Sequence, residues 1–199
     1  MRTNDEWIGV ELGGECLGLS LSLLRVEGSR LTEVQLLAAE ITRLELIDCE
    51  LIGCDLSGAL LNQASLHRVE LQHCRLSGTD LSSAHLRDVT FVDCQMTSSN
   101  FRYSRAQLVR FVRCNLNQTD LYRSRLARVA FESCDLTRAS LQQSELEDVT
   151  LLGSNLEELV GVDALRGVSI TADQLISLVL PMASALGIRV EPSTLDETR

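Results

Sequence analysis

Residues 114–123 read CNLNQ-TDLYR, two five-residue units with a leucine in the middle of each, Leu116 and Leu121. Stepping by five in both directions meets an apolar residue at every position from Leu21 to Leu156, and among these only Ala106 is small. All four phenylalanines of the chain lie on this central track. A repeat of this length determines the architecture, so the fold is derived from it.

A second track runs two residues before the central one and carries small or medium side chains, as in Ala64, Val69, Cys74 and Thr79. Both tracks point inward if the chain is extended, because alternate residues of a strand face the same side. An α-helix is excluded, since a five-residue period drifts around a 3.6-residue turn and would expose leucines on every side.

The second track also has a period of 20 residues. Two columns show it, the valines and the cysteines at Val69, Val89, Val109, Val129, Val149, Cys54, Cys74, Cys94, Cys114 and Cys134. Four five-residue sides therefore make one coil, with like residues stacked above like. This predicts an all-β solenoid of square cross-section whose coils pair as short parallel strands. With about 4.8 Å between strands, about seven coils give a length of about 34 Å.

The units Cys114–Gln118, Thr119–Arg123 and Ala59–Gln63 share a small first residue and a central leucine. They resemble the A(D/N)LXX motif of the pentapeptide-repeat family, and the match covers most of the chain. The resemblance implies a right-handed quadrilateral β-helix with a C-terminal capping helix. We expect an N-terminal cap over residues 1–18, the β-helix over 19–158 and a C-terminal cap over 159–199.

Both ends of a parallel stack need a cap. Near the N-terminus, Trp7, Ile8, Val10 and Leu12 alternate well enough for one capping strand. Near the C-terminus, residues 171–174, TADQ, match a capping box with threonine as N-cap and glutamine at the third helical position.

A helix is therefore expected over about 171–186, with Gly187 as its stop. Pro181 lies inside the helix and should kink it near Ser177. Apolar side chains cover more than one face, so one face can close the solenoid while another meets a second chain. Several pentapeptide-repeat proteins dimerise through C-terminal helices. The resemblance therefore implies a head-to-head homodimer. The alternative is a monomer whose helix folds flat against the end of the solenoid. The interface candidates are Leu175, Leu178, Val179, Met182 and Leu186.

The five stacked cysteines suggest a metal or redox role at first sight. Neighbouring coils place them about 4.8 Å apart, but parallel side chains suit neither a disulfide nor tetrahedral zinc. Small buried side chains are the better interpretation. His67, His73 and His85 take outward positions where no carboxylate cluster converges. We expect no metal site and no cofactor.

No nucleophile elbow, P-loop or HExxH motif occurs in the chain. Regular solenoid sides also leave little concavity for a small-molecule pocket. The chain is therefore expected not to be an enzyme.

The chain carries a net charge of −10, which disfavours direct nucleic-acid binding. No apolar run reaches the length of a membrane span, and the N-terminus lacks a secretory pattern. An odd count of seven cysteines without ligand spacing suits a reducing compartment. A cytoplasmic protein without membrane contact is the expectation.

Residues 100–138 reverse the sign of the charge, with 8 arginines against 3 acidic residues. The candidates for a partner-binding surface are Arg102, Tyr103, Arg105, Tyr122, Arg123, Arg125 and Arg128. Arginine and tyrosine are favoured at interface hot spots. The alternative is a solvated basic face between acidic coils.

Stacked columns also predict charge ladders, with Arg125 beside Glu145 and Asp93 beside Arg113. A third pair is expected between Arg128 and Asp148. The small Ala106 would leave a void, so we expect either Leu108 to turn inward or the side to bulge.

Two functions follow. The first is a protein-interaction scaffold whose partner is unidentified, with the basic belt as its contact surface. The alternative is a DNA-mimicking binder of a type II topoisomerase such as DNA gyrase, since the organisation is similar to the quinolone-resistance members of the family, which are dimeric acidic rods. The basic belt departs from a uniformly acidic rod and argues for the scaffold.

Overall fold

The computed structural model describes residues 4–9, 11–15 and 20–191. Within these ranges the chain forms twelve β-strands, one 3-10 helix at Val162–Leu165 and one α-helix, α1, at Leu175–Ala185. The strands are β1 Asn4–Ile8, β2 Glu11–Glu15, β3 Ser20–Leu21, β4 Leu23–Glu27, β5 Arg30–Gln35, β6 Glu40–Ile41, β7 Leu44–Ile52, β8 Ser65–Gln72, β9 His85–Val92, β10 Arg105–Val112, β11 Arg125–Glu132 and β12 Glu145–Thr150.

Neighbouring coils pair in parallel with a register of 20 residues, as the sequence predicts. In the main sheet β7 to β12 follow one another in chain order, and Phe111 of β10 lies between Phe91 and Phe131. The three rings stack with centroids 4.8 Å apart and planes 5° from parallel. That distance equals the spacing of paired strands, so the central track forms a ladder along the solenoid axis. A parallel β-solenoid of about seven turns is confirmed.

Each five-residue side ends in a left-handed backbone conformation that turns the chain through a corner. The four sides are named after one coil: face A is 104–108, face B is 109–113, face C is 114–118 and face D is 119–123. Their last residues have positive φ, with values of 57° at Leu108, 52° at Arg113, 56° at Gln118 and 54° at Arg123. Because an L-residue in this conformation crowds its own Cβ, the corners favour glycine, asparagine and aspartate.

Leu108→Asn tests the energetics of these corners. Leu108 is 42% exposed and sits at φ 57°, so little packing holds a bulky side chain there. We expect the free energy of unfolding to rise by about 1 kcal/mol, because asparagine tolerates left-handed backbone. Urea titration measures it. The matched control is Leu152→Asn, at 43% exposure and outside the positive-φ positions; equal changes at both sites would contradict the corner argument.

Both inward tracks are buried from Leu21 to Leu159, except at Ser144 and Leu146, which are partly buried. At several polar positions of the second track the hydroxyl donates to a carbonyl of the preceding coil, as Thr79 Oγ1 does to the Leu56 oxygen and Ser99 Oγ to the Leu76 oxygen, both at 2.7 Å. The buried Ser104 hydroxyl is an exception and has no hydrogen-bond partner among the described residues. A buried hydroxyl without such a partner would lower the free energy of unfolding by about 1–3 kcal/mol, because its desolvation would not be compensated. Threonine and serine are therefore tolerated inside the solenoid.

The buried cysteines are free thiols that fill the same role. Each Sγ lies within hydrogen-bond distance of a carbonyl in the preceding coil, for example Cys94 Sγ at 3.4 Å from the Leu71 oxygen. Burial raises the pKa of the Cys49 thiol. A buried thiol that donates to a carbonyl behaves as a small side chain with a weak donor. The free buried cysteines in the described ranges are Cys49, Cys54, Cys74, Cys94, Cys114 and Cys134.

The expectation of an inward Leu108 or a bulge at Ala106 is wrong. Ala106 is 4% exposed and pairs without a register shift with Leu86 and Leu126. Leu108 remains outside. On the sides before and after Ala106, Phe101 and Phe111 are buried and their rings meet edge to face with centroids 6.5 Å apart.

At the N-terminal end, parallel pairing reaches further than one capping strand. β1 pairs with β4 and β2 pairs with β5, both at an offset of 19 residues in the first pairs, Asn4 with Leu23 and Glu11 with Arg30. A register shift follows between Leu12 and Gly14. The predicted boundary at residues 18 and 19, and Val10 of the predicted strand, lie outside the described residues.

At the C-terminal end, the α-helix is shorter than the predicted 171–186, and Gln174 makes the expected capping-box contact with Thr171 and a second set of contacts besides. Its Nε2 donates to the carbonyls of Leu151 and Ser154, both at 2.6 Å, and the side chain is 6% exposed. Its Oε1 accepts from the Thr171 N–H at 2.7 Å. Gln174 thus closes the last coil, and α1 begins only at Leu175.

Helix α1 covers the open end of the core with one face. Leu178 is fully buried, and Met182 packs partly buried against the same cluster. The helix continues through Pro181. Within the described ranges, no helix has the length and apolar character needed to cross a membrane.

Candidate interaction surface

Two arginines and two tyrosines stack on one another where face D meets face A. Tyr103 and Tyr122 pack edge to face with centroids 5.9 Å apart. The Arg102 guanidinium lies 4.6 Å from the Tyr122 ring centroid and 5.8 Å from that of Tyr103, and Arg123 lies 5.3 Å from Tyr122. The sequence predicted these four residues as partner contacts, and the structure brings them into one cluster.

Hydrogen bonds hold this cluster in place. Arg102 donates to Asp120 at 3.2 Å, while Arg123 Nε and the Tyr122 hydroxyl both donate to Gln143 Oε1, at 2.6 and 3.1 Å. The hydrogen bond with Tyr103 raises the pKa of Arg102, and the charge of Asp120 adds to the shift. Side chains ordered before binding lose less entropy when a partner arrives, which favours recognition.

Two of the remaining candidates adjoin the cluster and one does not. Arg105 and Arg125 share a groove of about 400 Å³ with Tyr103 and Arg123. Arg128 lies at the far corner of face A, at φ 55°, and does not line that groove. We name the continuous set the arginine–tyrosine surface; it comprises Arg102, Tyr103, Arg105, Tyr122, Arg123 and Arg125.

Two of the three predicted charge pairs form. Arg125 Nε lies 2.9 Å from Glu145, and Arg113 makes two hydrogen bonds to Asp93 at 2.7 and 2.8 Å. Those hydrogen bonds lower the pKa of the Asp93 carboxyl. No ion pair within 4.0 Å joins Arg128 to Asp148 in the described coils, so that prediction is wrong.

A second groove, of about 530 Å³, crosses face A and contains residues that the sequence analysis left out. His67 and His85 line it together and therefore share a face. Arg87 also lines it, although it was not among the candidates. The 20-residue period would have found Arg87, since it shares a column with His67 and Gln107. Among the described residues, no group of three or more histidine, cysteine or acidic side chains could hold a metal ion.

Helix α1 leaves an apolar face without cover. Ile176 is 80% exposed and Leu180 is 63% exposed, four residues apart on one side. Leu175, Val179 and Leu186 of the predicted interface are exposed as well. Leu178 is not available to a second chain, because it is buried against the protein's own core. Met182 is partly buried against the same core and is therefore only partly available.

Four-sided coils with an apolar inside and a polar outside define this chain as a β-solenoid repeat protein. A family model described as the pentapeptide repeat region matches residues 44–106 and 86–160. The chain belongs to the pentapeptide-repeat family. Comparison with curated proteins finds no match.

Solved structures of the family are similar at low identity. HetL, a pentapeptide repeat protein involved in heterocyst differentiation regulation from the cyanobacterium Nostoc sp. strain PCC 7120, is 18% identical with a TM-score of 0.41, over 85% of this chain and 90% of that one. QnrB1, a plasmid-mediated fluoroquinolone resistance protein, is 20% identical with a TM-score of 0.38, over 96% and 99%. Rfr23 from the cyanobacterium Cyanothece 51142 is 20% identical with a TM-score of 0.40, over 56% and 90%.

Proposed function

We propose that this protein is a non-enzymatic interaction scaffold that binds a protein partner through the arginine–tyrosine surface. The observation that supports this most is the stacked cluster of Arg102, Tyr103, Tyr122 and Arg123, held by Asp120 and Gln143. Arginine and tyrosine carry much of the energy at protein interfaces, and this cluster is already ordered. The free buried thiols suit a cytoplasmic location.

The experiment is a crosslinking pull-down from cells that make the protein, followed by reconstitution with the purified partner. Arg102→Glu/Arg123→Glu should lower recovery of that partner at least about tenfold, because it reverses two charges and dismantles the stack. The matched control is Arg75→Glu/Arg138→Glu, which makes the same charge change on face C and its corner, away from the surface. Equal recovery with both double variants would reject the surface as the contact.

We also propose that two chains associate head to head through helix α1. The exposed side chains Leu175, Ile176, Val179, Leu180 and Leu186 support this, since a contiguous apolar face on a soluble protein is a common feature of interfaces. Burying it against the same face of a second chain would give a two-fold contact of the commonest kind.

A second candidate function is DNA mimicry toward a type II topoisomerase. The acidic residues support it, because they dominate both ends: 11 against 4 arginines in residues 1–60 and 10 against 3 in residues 139–199. Two head-to-head rods would span about 70 Å. A gyrase supercoiling assay, with and without a fluoroquinolone, separates the candidates. If the protein neither inhibits gyrase nor protects it at micromolar concentration, DNA mimicry is rejected. The arginine–tyrosine surface interrupts the acidic rod and favours the scaffold.

A further inference from the structure

The groove of about 530 Å³ on face A has cationic walls. Its floor is the strand backbone at Leu66, Leu86 and Ala106, whose own side chains are buried in the core. Arg87 and Arg105 stand on opposite columns of outward side chains, and both are exposed. We call this the face A groove. It adjoins the arginine–tyrosine surface at Arg105 but extends the other way along the solenoid.

Two arginines of this groove, Arg87 and Arg105, differ from others nearby in having no ion-pair partner among the described residues, whereas Arg125, which also lines the groove, is paired with Glu145. Arg102, Arg110, Arg113 and Arg125 each form an ion pair with a carboxylate of a neighbouring coil. Within the described residues, Arg87 and Arg105 take part in no ion pair or side-chain hydrogen bond. In a protein with a net charge of −10, two unpaired guanidinium groups on one face are a local excess of positive charge.

The stacking of the groove concentrates that charge further. Arg105 pairs in register with Arg125 on one side and His85 on the other. Like charges opposite one another on adjacent strands destabilise a sheet by about 0.2–1 kcal/mol. Of the pair Arg105 and Arg125, Arg125 has a carboxylate partner, Glu145, that offsets its charge, and Arg105 has none among the described residues. An anion bound between Arg87 and Arg105 would offset the charge of Arg105 and so weaken its repulsion with Arg125.

We propose that the face A groove binds a short acidic segment of a partner protein, an inference that rests on the scaffold function and specifies the chemistry of its partner. Carboxylates of the segment would take bidentate hydrogen bonds from Arg87 and Arg105. The groove spans the coils from Ile47 to Ala127, four strand spacings or about 19 Å, which accommodates about six extended residues.

Acidic residues at both ends of the face limit the occupant to a short one. Glu145 and Glu147 follow Arg125 and Ala127 in the next coil, and Glu45 precedes Ser65 in the coil before. A long polyanion such as duplex DNA would extend over these carboxylates and be repelled. A segment of about six residues fits between them, which favours a peptide over a nucleic acid.

Fluorescence anisotropy with a labelled hexapeptide, Glu-Glu-Leu-Glu-Glu-Gly, tests the proposal on the full chain. Arg87→Gln/Arg105→Gln should weaken binding at least about tenfold, because it removes the two unpaired cations of the groove and leaves only Arg125, which is paired with Glu145. The matched control is Arg43→Gln/Arg166→Gln, which removes two exposed arginines that also lack ion pairs but lie away from the groove. The control should stay within about twofold of the wild type, and melting curves should show all three chains folded.

Three outcomes would overturn the proposal: no binding of the hexapeptide by the wild type, equal weakening by both double variants, or an equally tight and equally sensitive complex with a six-nucleotide single-stranded DNA. The result is separable from the scaffold function. If the pull-down partner is lost with Arg102→Glu/Arg123→Glu but kept with Arg87→Gln/Arg105→Gln, the scaffold stands and the groove assignment is wrong. If the hexapeptide binds through the groove but no partner depends on either surface, the groove stands and the scaffold function is wrong.

Discussion

Phe111→Asp is expected to unfold the middle coils at room temperature. Phe111 is 3% exposed, stacks between Phe91 and Phe131 at 4.8 Å and meets Phe101 edge to face. The substitution loses about 1.5–3 kcal/mol of side-chain burial and about 0.5–1.5 kcal/mol for each aromatic pair. It also places a carboxylate in the core where no cation reaches it, at a cost of several kcal/mol. Together these losses are comparable with the whole stability of a domain.

Circular dichroism during thermal unfolding measures this effect. The control is Val112→Asp, the next residue, which points outward beside Val92 and Glu132 and should keep the β-rich spectrum and most of the melting temperature. A melting curve of Phe111→Asp that matches the wild type would show that the central track is not inside. Because coils contact only their neighbours, partial unfolding limited to the middle coils would appear as a broadened transition.

The second large effect is expected on the size of the particle in solution. Ile176→Glu/Leu180→Glu should convert the proposed homodimer into a monomer at micromolar concentration. Both side chains lie on the uncovered side of α1, at 80% and 63% exposure, and neither contributes to the protein's own core. Two glutamates on each chain would meet their copies across a two-fold axis, so each contact gains like-charge repulsion and loses apolar burial.

Light scattering reads this directly, since one chain has a mass of 22.0 kDa. Wild type should scatter as twice that mass and the double variant as one chain. Leu60→Glu/Leu152→Glu, which also replaces two exposed leucines, at 46% and 43% exposure, should leave the dimer intact. A wild type that scatters as a single 22.0 kDa chain would show that α1 lies open or meets a different partner.

Predictions from the sequence were confirmed where the same five-residue pattern repeats from coil to coil. The inward tracks, the 20-residue register and the ion pair of Arg113 with Asp93 follow from stacking like positions in like coils. The period also places His67, His85 and Arg87 on one face, although Arg87 was overlooked.

Predictions failed where a residue's position depends on contacts that the repeat does not specify. Ala106 keeps the strand register without a bulge, between two sides that each carry a buried phenylalanine, Phe101 and Phe111. Gln174 closes the last coil through the carbonyls of Leu151 and Ser154 instead of lying inside a longer helix.

The amino-acid sequence by itself determines a four-sided parallel solenoid, because an apolar residue at every fifth position has only one way to be buried along the whole chain. The tertiary structure alone decides which charges remain available to a partner. Arg110 pairs with Glu132 and Arg102 with Asp120, whereas Arg105 forms no ion pair with any carboxylate in the described part of the chain. Burial is set by a side chain's own position in the repeat, while pairing depends on the reach and rotamer of long side chains on neighbouring coils. For that reason the face A groove became visible only in three dimensions.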